Sequence, residues 1–185
     1  MMETEYQEGR TLQQLLAEVP GSEERILREM AHEMCRIHVS GMTLYPRLSE
    51  RLSADIGKAG FSPGLTERLL DYLRSLPEGS ASCHMDFMPE NLIWKNSGEI
   101  CVLDWAEAAC GDPLADAANT YLRLFMTGQH KNADIWRRAF LEESGCSSDQ
   151  FYSWLPVCAA ALSGACFAPC RSEERTLLER FYADV

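Results

Sequence analysis

Near residue 90 the hydrophobic period of this chain switches from helical to strand-like, and that switch limits the folds open to it. Residues 91–95 (NLIWK) and 99–104 (EICVLD) are short, apolar and β-prone, and Asn96-Ser97-Gly98 between them supplies the turn chemistry of a hairpin. Upstream the signals are helical. Thr11 can cap LQQLLAEV, and Ser22, followed by Glu23 and Glu24, starts a helix in which Ile26, Met30, Met34 and Ile37 recur at three- and four-residue steps. Ser62-Pro63 opens another with Leu65, Leu69, Tyr72, Leu73 and Leu76, ended by Pro77 and Gly79; the segment 41–61 is less regular. Downstream, Asp112-Pro113 starts a helix through Tyr121, Leu122 and Phe125, and the pattern predicts further helices over 132–143, 149–168 and 172–183. The expected fold is mainly α with one small β-hairpin. With 185 residues, no internal repeat and no linker rich in Gly, Ser or Pro, one domain is expected.

Composition narrows the function. The chain has 17 Lys+Arg against 28 Asp+Glu, a formal net charge of −11, and no dense basic run, so no nucleic-acid partner is expected. An acidic balance favours a cationic small-molecule ligand, with Asp149, Glu173 and Glu174 as candidates, although a solvated helix face accounts for the same residues. Eight cysteines (Cys35, Cys83, Cys101, Cys110, Cys146, Cys158, Cys166 and Cys170) accompany a start, MMETEYQEGR, without the apolar core of a signal peptide. Reduced thiols in the cytoplasm fit that pattern. Residues 151–170 are uncharged and about the length of a membrane span. Ser153, Pro156, Ser163, Gly164 and Pro169 dilute them and no Lys/Arg cluster flanks them, so a buried core helix and no membrane segment is expected.

The densest polar constellation surrounds the hairpin: His84, Asp86 and Asn91 before its first strand and Asp104 at the end of its second. Antiparallel pairing puts the start of one strand beside the end of the other, so Asn91 and Asp104 approach each other. Together they offer hard oxygen ligands, which suit Mg²⁺. Asp86, five residues earlier, could accept a proton from a hydroxyl nucleophile, the division of labour that phosphoryl transfer requires. Asp and Asn are also ordinary turn and capping residues, and spacing alone does not separate the two readings.

The sequence HMDFMPENLIW, then ICVLDW, then GDPLADAA resembles the catalytic half of the aminoglycoside phosphotransferase and choline kinase-like family, which has a protein-kinase-like fold. The family pattern is H-x-D-x-x-x-x-N, a short hairpin, two apolar residues with D-W or D-F, then G-D-P-x-x-D. The resemblance implies ATP and Mg²⁺ as cofactors and a small-molecule hydroxyl acceptor, such as an aminoglycoside, amino alcohol or sugar. It implies Asp86 as catalytic base, His84 as brace of the catalytic loop, and Asn91 and Asp104 as metal ligands. Asp112 and Asp116 would be structural, and His38 matches a Leu-His pair that often ends an earlier helix in the family. On this likeness residues 1–10 are a hinge-like remnant, with EYQEGRTL (5–12) near adenine; residues 80–104 are catalytic loop and metal-binding hairpin, and residues 112–185 form the helical substrate-binding part of a single lobe.

Two departures stand out. Position 85 is Met where the family most often has Gly, which asks a residue with a side chain to take a glycine-like conformation. The family's ATP-covering N-terminal lobe is expected to be missing from these residues: no glycines are spaced G-x-G, and the only lysines, Lys58, Lys95 and Lys131, follow no strand like V-A-I-K. The expectation is therefore a C-terminal catalytic lobe, either working with a homodimer or N-lobe partner, or serving as a non-catalytic binding module. Rival motifs fail on residues. Gly57-Lys58 lacks the earlier Gly of a P-loop, HEMCRIH has Arg36 where a zinc protease needs its second His, and Glu173 breaks P-C-x-x-C.

Overall fold

The computed structural model of the chain describes residues 8–41, 46–165, 172–183 and 185, without the side chains of 165 and 172–175. Residues 5–7 of the hinge-like stretch, Cys166, Cys170 and the side chains of Glu173 and Glu174 lie outside the described residues.

A two-residue strand β1 (Arg10–Thr11) leads into helix α1 (Leu12–Glu18). Thr11 closes it with a reciprocal cap: its hydroxyl accepts from the Gln14 backbone N–H at 3.1 Å, and Gln14 Oε1 accepts from the Thr11 N–H at 2.9 Å. Helix α2 (Glu23–His38) buries Ile26, Met30, Met34 and Ile37, the stripe its spacing predicts. Helix α3 (Leu48–Lys58) occupies the less regular region. Its buried stripe is only Leu48, Leu52 and Ile56 in a charged sequence, too sparse to stand out without its neighbours. Helix α4 (Pro63–Ser75) starts at Ser62 with Pro63 in its first turn and buries Leu69 and Leu73.

Strand β2 (Ala81–Cys83) precedes the polar loop, which ends in a 3₁₀ turn at Pro89–Asn91. The expected hairpin follows as β3 (Leu92–Trp94) and β4 (Ile100–Val102), paired Leu92 to Val102, Ile93 to Cys101 and Trp94 to Ile100. A second 3₁₀ turn, Trp105–Glu107, leads to β5 (Ala109–Gly111). Two pairings were not visible in the sequence. Strand β1 joins the outer side of β3, giving the order β1-β3-β4, and β2 pairs antiparallel with β5. The second pairing closes residues 84–108 into a loop with a hydrogen-bonded stem.

Helices α5 (Pro113–Met126), α6 (His130–Ser144), α7 (Ser148–Ala165) and α8 (Ser172–Tyr182) complete the chain. Helix α7 carries residues 151–165 of the uncharged stretch and packs against α3, α5 and α8, burying Phe151, Trp154, Leu155, Val157 and Cys158. No helix of the described residues is long and apolar enough to cross a membrane.

Gly164 marks a close approach of α7 to α3, because a Cβ there would overlap the backbone carbonyl of Asp55. Gly164→Ala should therefore lower unfolding free energy by about 1–3 kcal/mol in a urea titration, the usual cost of overpacking. Because α3 carries Arg51, Asp55 and Lys58, the same substitution should disturb the cleft described next.

Candidate active site

The polar loop is held from below by one face of α5. Asp116 is fully buried, and its carboxylate accepts the His84 N–H at 2.8 Å on Oδ2 and the Met85 N–H at 2.7 Å on Oδ1. His38, the last residue of α2, brings Nε2 to 3.0 Å from the same Oδ2. One turn further along, Asn119 Nδ2 donates to the Met85 carbonyl at 2.5 Å and Thr120 Oγ1 donates to the Phe87 carbonyl at 3.2 Å. These contacts satisfy backbone groups that have no ladder partner, which is why a buried irregular loop is tolerated here. Met85 takes a left-handed φ of 63° inside that clamp, so the glycine-like conformation is adopted despite the side chain. Asp112 caps α5 through the Leu114 N–H at 2.8 Å, while burial pushes its carboxyl above the ordinary range.

His84 ties the loop to the hairpin. It is fully buried; its Nδ1 accepts the Asp86 N–H at 3.2 Å, which assigns the proton to Nε2, and Nε2 donates to the Leu103 carbonyl at 2.9 Å. Leu103 N–H donates to the Asn91 carbonyl at 2.8 Å, so the hairpin end brings the backbones on either side of Asn91 and Asp104 together. Asp104 itself has a left-handed φ of 56°. Its carboxylate is exposed and lines a cleft, with no hydrogen-bond or ion-pair partner among the described residues.

Asp86 stands in that cleft of about 820 Å³. Its Oδ2 accepts from Asn91 Nδ2 at 2.9 Å, and its Oδ1 lies 2.9 Å from Arg123 Nη1. With its amide nitrogen committed to Asp86, Asn91 has its carbonyl oxygen left as a possible ligand. A carbonyl and a carboxylate at one hairpin end form a hard-oxygen donor set that fits Mg²⁺. The four residues singled out from the sequence are thus assembled in one place.

Others were missed. Arg51, Asp55 and Lys58 from α3 and Arg123 from α5 also line the cleft. Arg51 pairs with Glu107 and, at 3.9 Å, with Asp55, which also holds Lys58 at 2.9 Å. A signal for part of this set exists: Asp116, Asn119, Thr120 and Arg123 fall at i, i+3, i+4 and i+7, a polar stripe on an otherwise apolar helix. Asp149 is exposed and lies away from the cleft lining. His38, Cys83 and Asp116 are close enough to suggest a metal cluster. Burial pushes the Cys83 thiol upward, which keeps it protonated, and Asp116 is already engaged by three donors, so the cluster reads as structural.

This architecture, a helical lobe carrying a clamped polar loop and a short hairpin, has the fold of one lobe of a kinase-like phosphotransferase. The sequence model of the phosphotransferase enzyme family matches residues 2–154, and the chain belongs to that family. Among solved structures, the choline kinase LicA from Streptococcus pneumoniae is similar with a TM-score of 0.66 at 16% identity, over 89% of this chain and 66% of that one. LicA in complex with AMP aligns with a TM-score of 0.64 at 16% identity, over 88% and 63%. A choline/ethanolamine kinase family protein from Mesorhizobium loti aligns with a TM-score of 0.52 at 17% identity, over 96% and 65%. The chain therefore spans just under two thirds of each of these structures. A search of curated proteins finds no match.

Proposed function

We propose that this chain is the catalytic and acceptor-binding lobe of an enzyme that moves a phosphoryl group from ATP to a hydroxyl of a small molecule. The observation that carries the reading is the setting of Asp86. Each carboxylate oxygen is oriented by a different side chain, the backbone N–H rests on His84, and the group still faces the cleft. Each oxygen keeps a lone pair, so Asp86 can accept the proton of a hydroxyl presented from the cleft. Asn91 and Asp104 would hold Mg²⁺, and bound Mg-ATP supplies the phosphoryl group and the charge neutralisation its transfer needs. His84 positions: it fixes the backbone of Asp86 against the end of β4. The likeness to choline and choline/ethanolamine kinases and to an AMP complex supports a nucleotide donor and a small hydroxyl acceptor, which amino alcohols, sugars and aminoglycosides all provide. Groups that cover the phosphates are assigned to an N-terminal lobe outside these 185 residues. The described cysteines are free, in keeping with a cytoplasmic setting.

A screen of ATP consumption across hydroxyl acceptors, run with and without an added N-terminal lobe, tests this. Turnover should fall at least ~100-fold in Asp104→Ala and on chelation of Mg²⁺, as expected when charge stabilisation at the transferring group is lost. Turnover that survives both treatments removes the metal assignment. Acceptor binding without turnover under every condition favours the non-catalytic module.

A further inference from the structure

We infer that the acceptor carries an anionic group close to its reactive hydroxyl and that Arg123 is the residue that reads it. The word acceptor rests on the function proposed above; the anion site rests on the cleft itself. Arg123 lies on the α5 stripe beyond Thr120, and its side chain is 33% exposed where it lines the cleft. A guanidinium has five N–H donors in a planar fork suited to carboxylates and phosphates. Among the described residues its ion pair is with Asp86 alone, and its Nε is buried without an acceptor. With Nε out of reach, the terminal Nη donors beyond the one held by Asp86 are those left to the cleft, beside the carboxylate that a hydroxyl must approach.

The other charges of the cleft are arranged differently. Arg51 and Lys58 are engaged by Asp55, and Arg51 by Glu107 as well, so these four groups largely neutralise one another. Arg51 is also held below its ordinary value by burial first and in part by the field of Arg123, a repulsion that an entering anion would relieve. Of the remaining carboxylates, Asp104 is assigned to the metal and Glu90 is exposed. An ammonium group next to Asp86 would meet Arg123 and find its natural partner already taken. Met88, Met126 and Leu162 give the lining an apolar part that suits a short carbon skeleton between hydroxyl and anion. Hydroxy carboxylates and phosphorylated alcohols share the required chemistry.

The test uses four three-carbon alcohols: glycerate, glycerol 3-phosphate, glycerol and serinol, titrated calorimetrically into the full chain without nucleotide. The two anions should bind roughly tenfold or more tightly than neutral glycerol and cationic serinol, the scale of one charge-assisted contact. Whichever anion binds more tightly identifies carboxylate or phosphate as the group read. Arg123→Gln should abolish the preference, and Arg123→Lys, which keeps the charge and guards against a folding defect, should retain part of it. Equal binding of all four alcohols, or equal weakening of all four in Arg123→Gln, overturns the inference. So does an Arg123→Gln variant that loses affinity for Mg-ATP while keeping its preference among alcohols, since Arg123 would then serve the nucleotide. Anions that bind tightly without stimulating ATP consumption when an N-terminal lobe is supplied uphold the anion site and fail the phosphotransferase reading. Consumption stimulated by serinol alone upholds that reading and overturns the anion site.

Discussion

Asp86→Asn should lower ATP-dependent transfer by roughly 10²–10⁴-fold, the contribution of a positioned general base, while leaving the unfolding midpoint close to that of the parent chain. Asparagine keeps the size and planarity of the side chain and can still accept from Asn91, but it cannot take up the hydroxyl proton. The structural cost is confined to the pair with Arg123, whose partners are 33% and 23% exposed, so the loss of stability should stay near or below about 1 kcal/mol. The two measurements separate chemistry from folding. Transfer at the parent rate, in a preparation where the parent turns over, removes Asp86 from the role of base.

Asp116→Ala should have the largest effect on stability, about 3–5 kcal/mol by urea unfolding, because it removes the acceptor of three buried donors at once. The His84 and Met85 N–H groups would lose their partner inside the protein, and the loop would lose the clamp that supports Met85 at a φ of 63°. Set against a typical total of about 5–15 kcal/mol, that loss leaves the chain marginal or unfolded. His38→Ala removes one donor rather than the shared acceptor, so it should cost less than Asp116→Ala. A loss below about 1 kcal/mol for Asp116→Ala would show that the loop is held elsewhere.

Much of the architecture is legible in the sequence for a physical reason: long amphipathic helices and a turn-bounded hairpin carry their own period. Stripes such as Ile26, Met30, Met34 and Ile37 are local facts, and the structure buries them. Strands β1, β2 and β5 are two or three residues long and exist only through their partners, so no local pattern announces them. The same division runs through the site. His84, Asp86, Asn91 and Asp104 are close in sequence and their grouping follows from the hairpin. Arg51 and Arg123 reach the cleft from helices far apart in the chain, and a basic residue near the end of α5 looks like an ordinary helix-dipole partner until the fold sets it 2.9 Å from Asp86.

The pairing of β1 with β3 has a mechanical consequence. Arg10 is matched to Trp94 and Thr11 to Ile93, and β3 begins directly after Asn91 and is bonded to the strand that ends before Asp104. A displacement of the backbone ahead of residue 10 would pull on the hairpin through this stiff three-stranded lever rather than dissipate in a loose tail. Anything attached on that side, covalently or by docking, would have its hand on the spacing between Asn91 and Asp104.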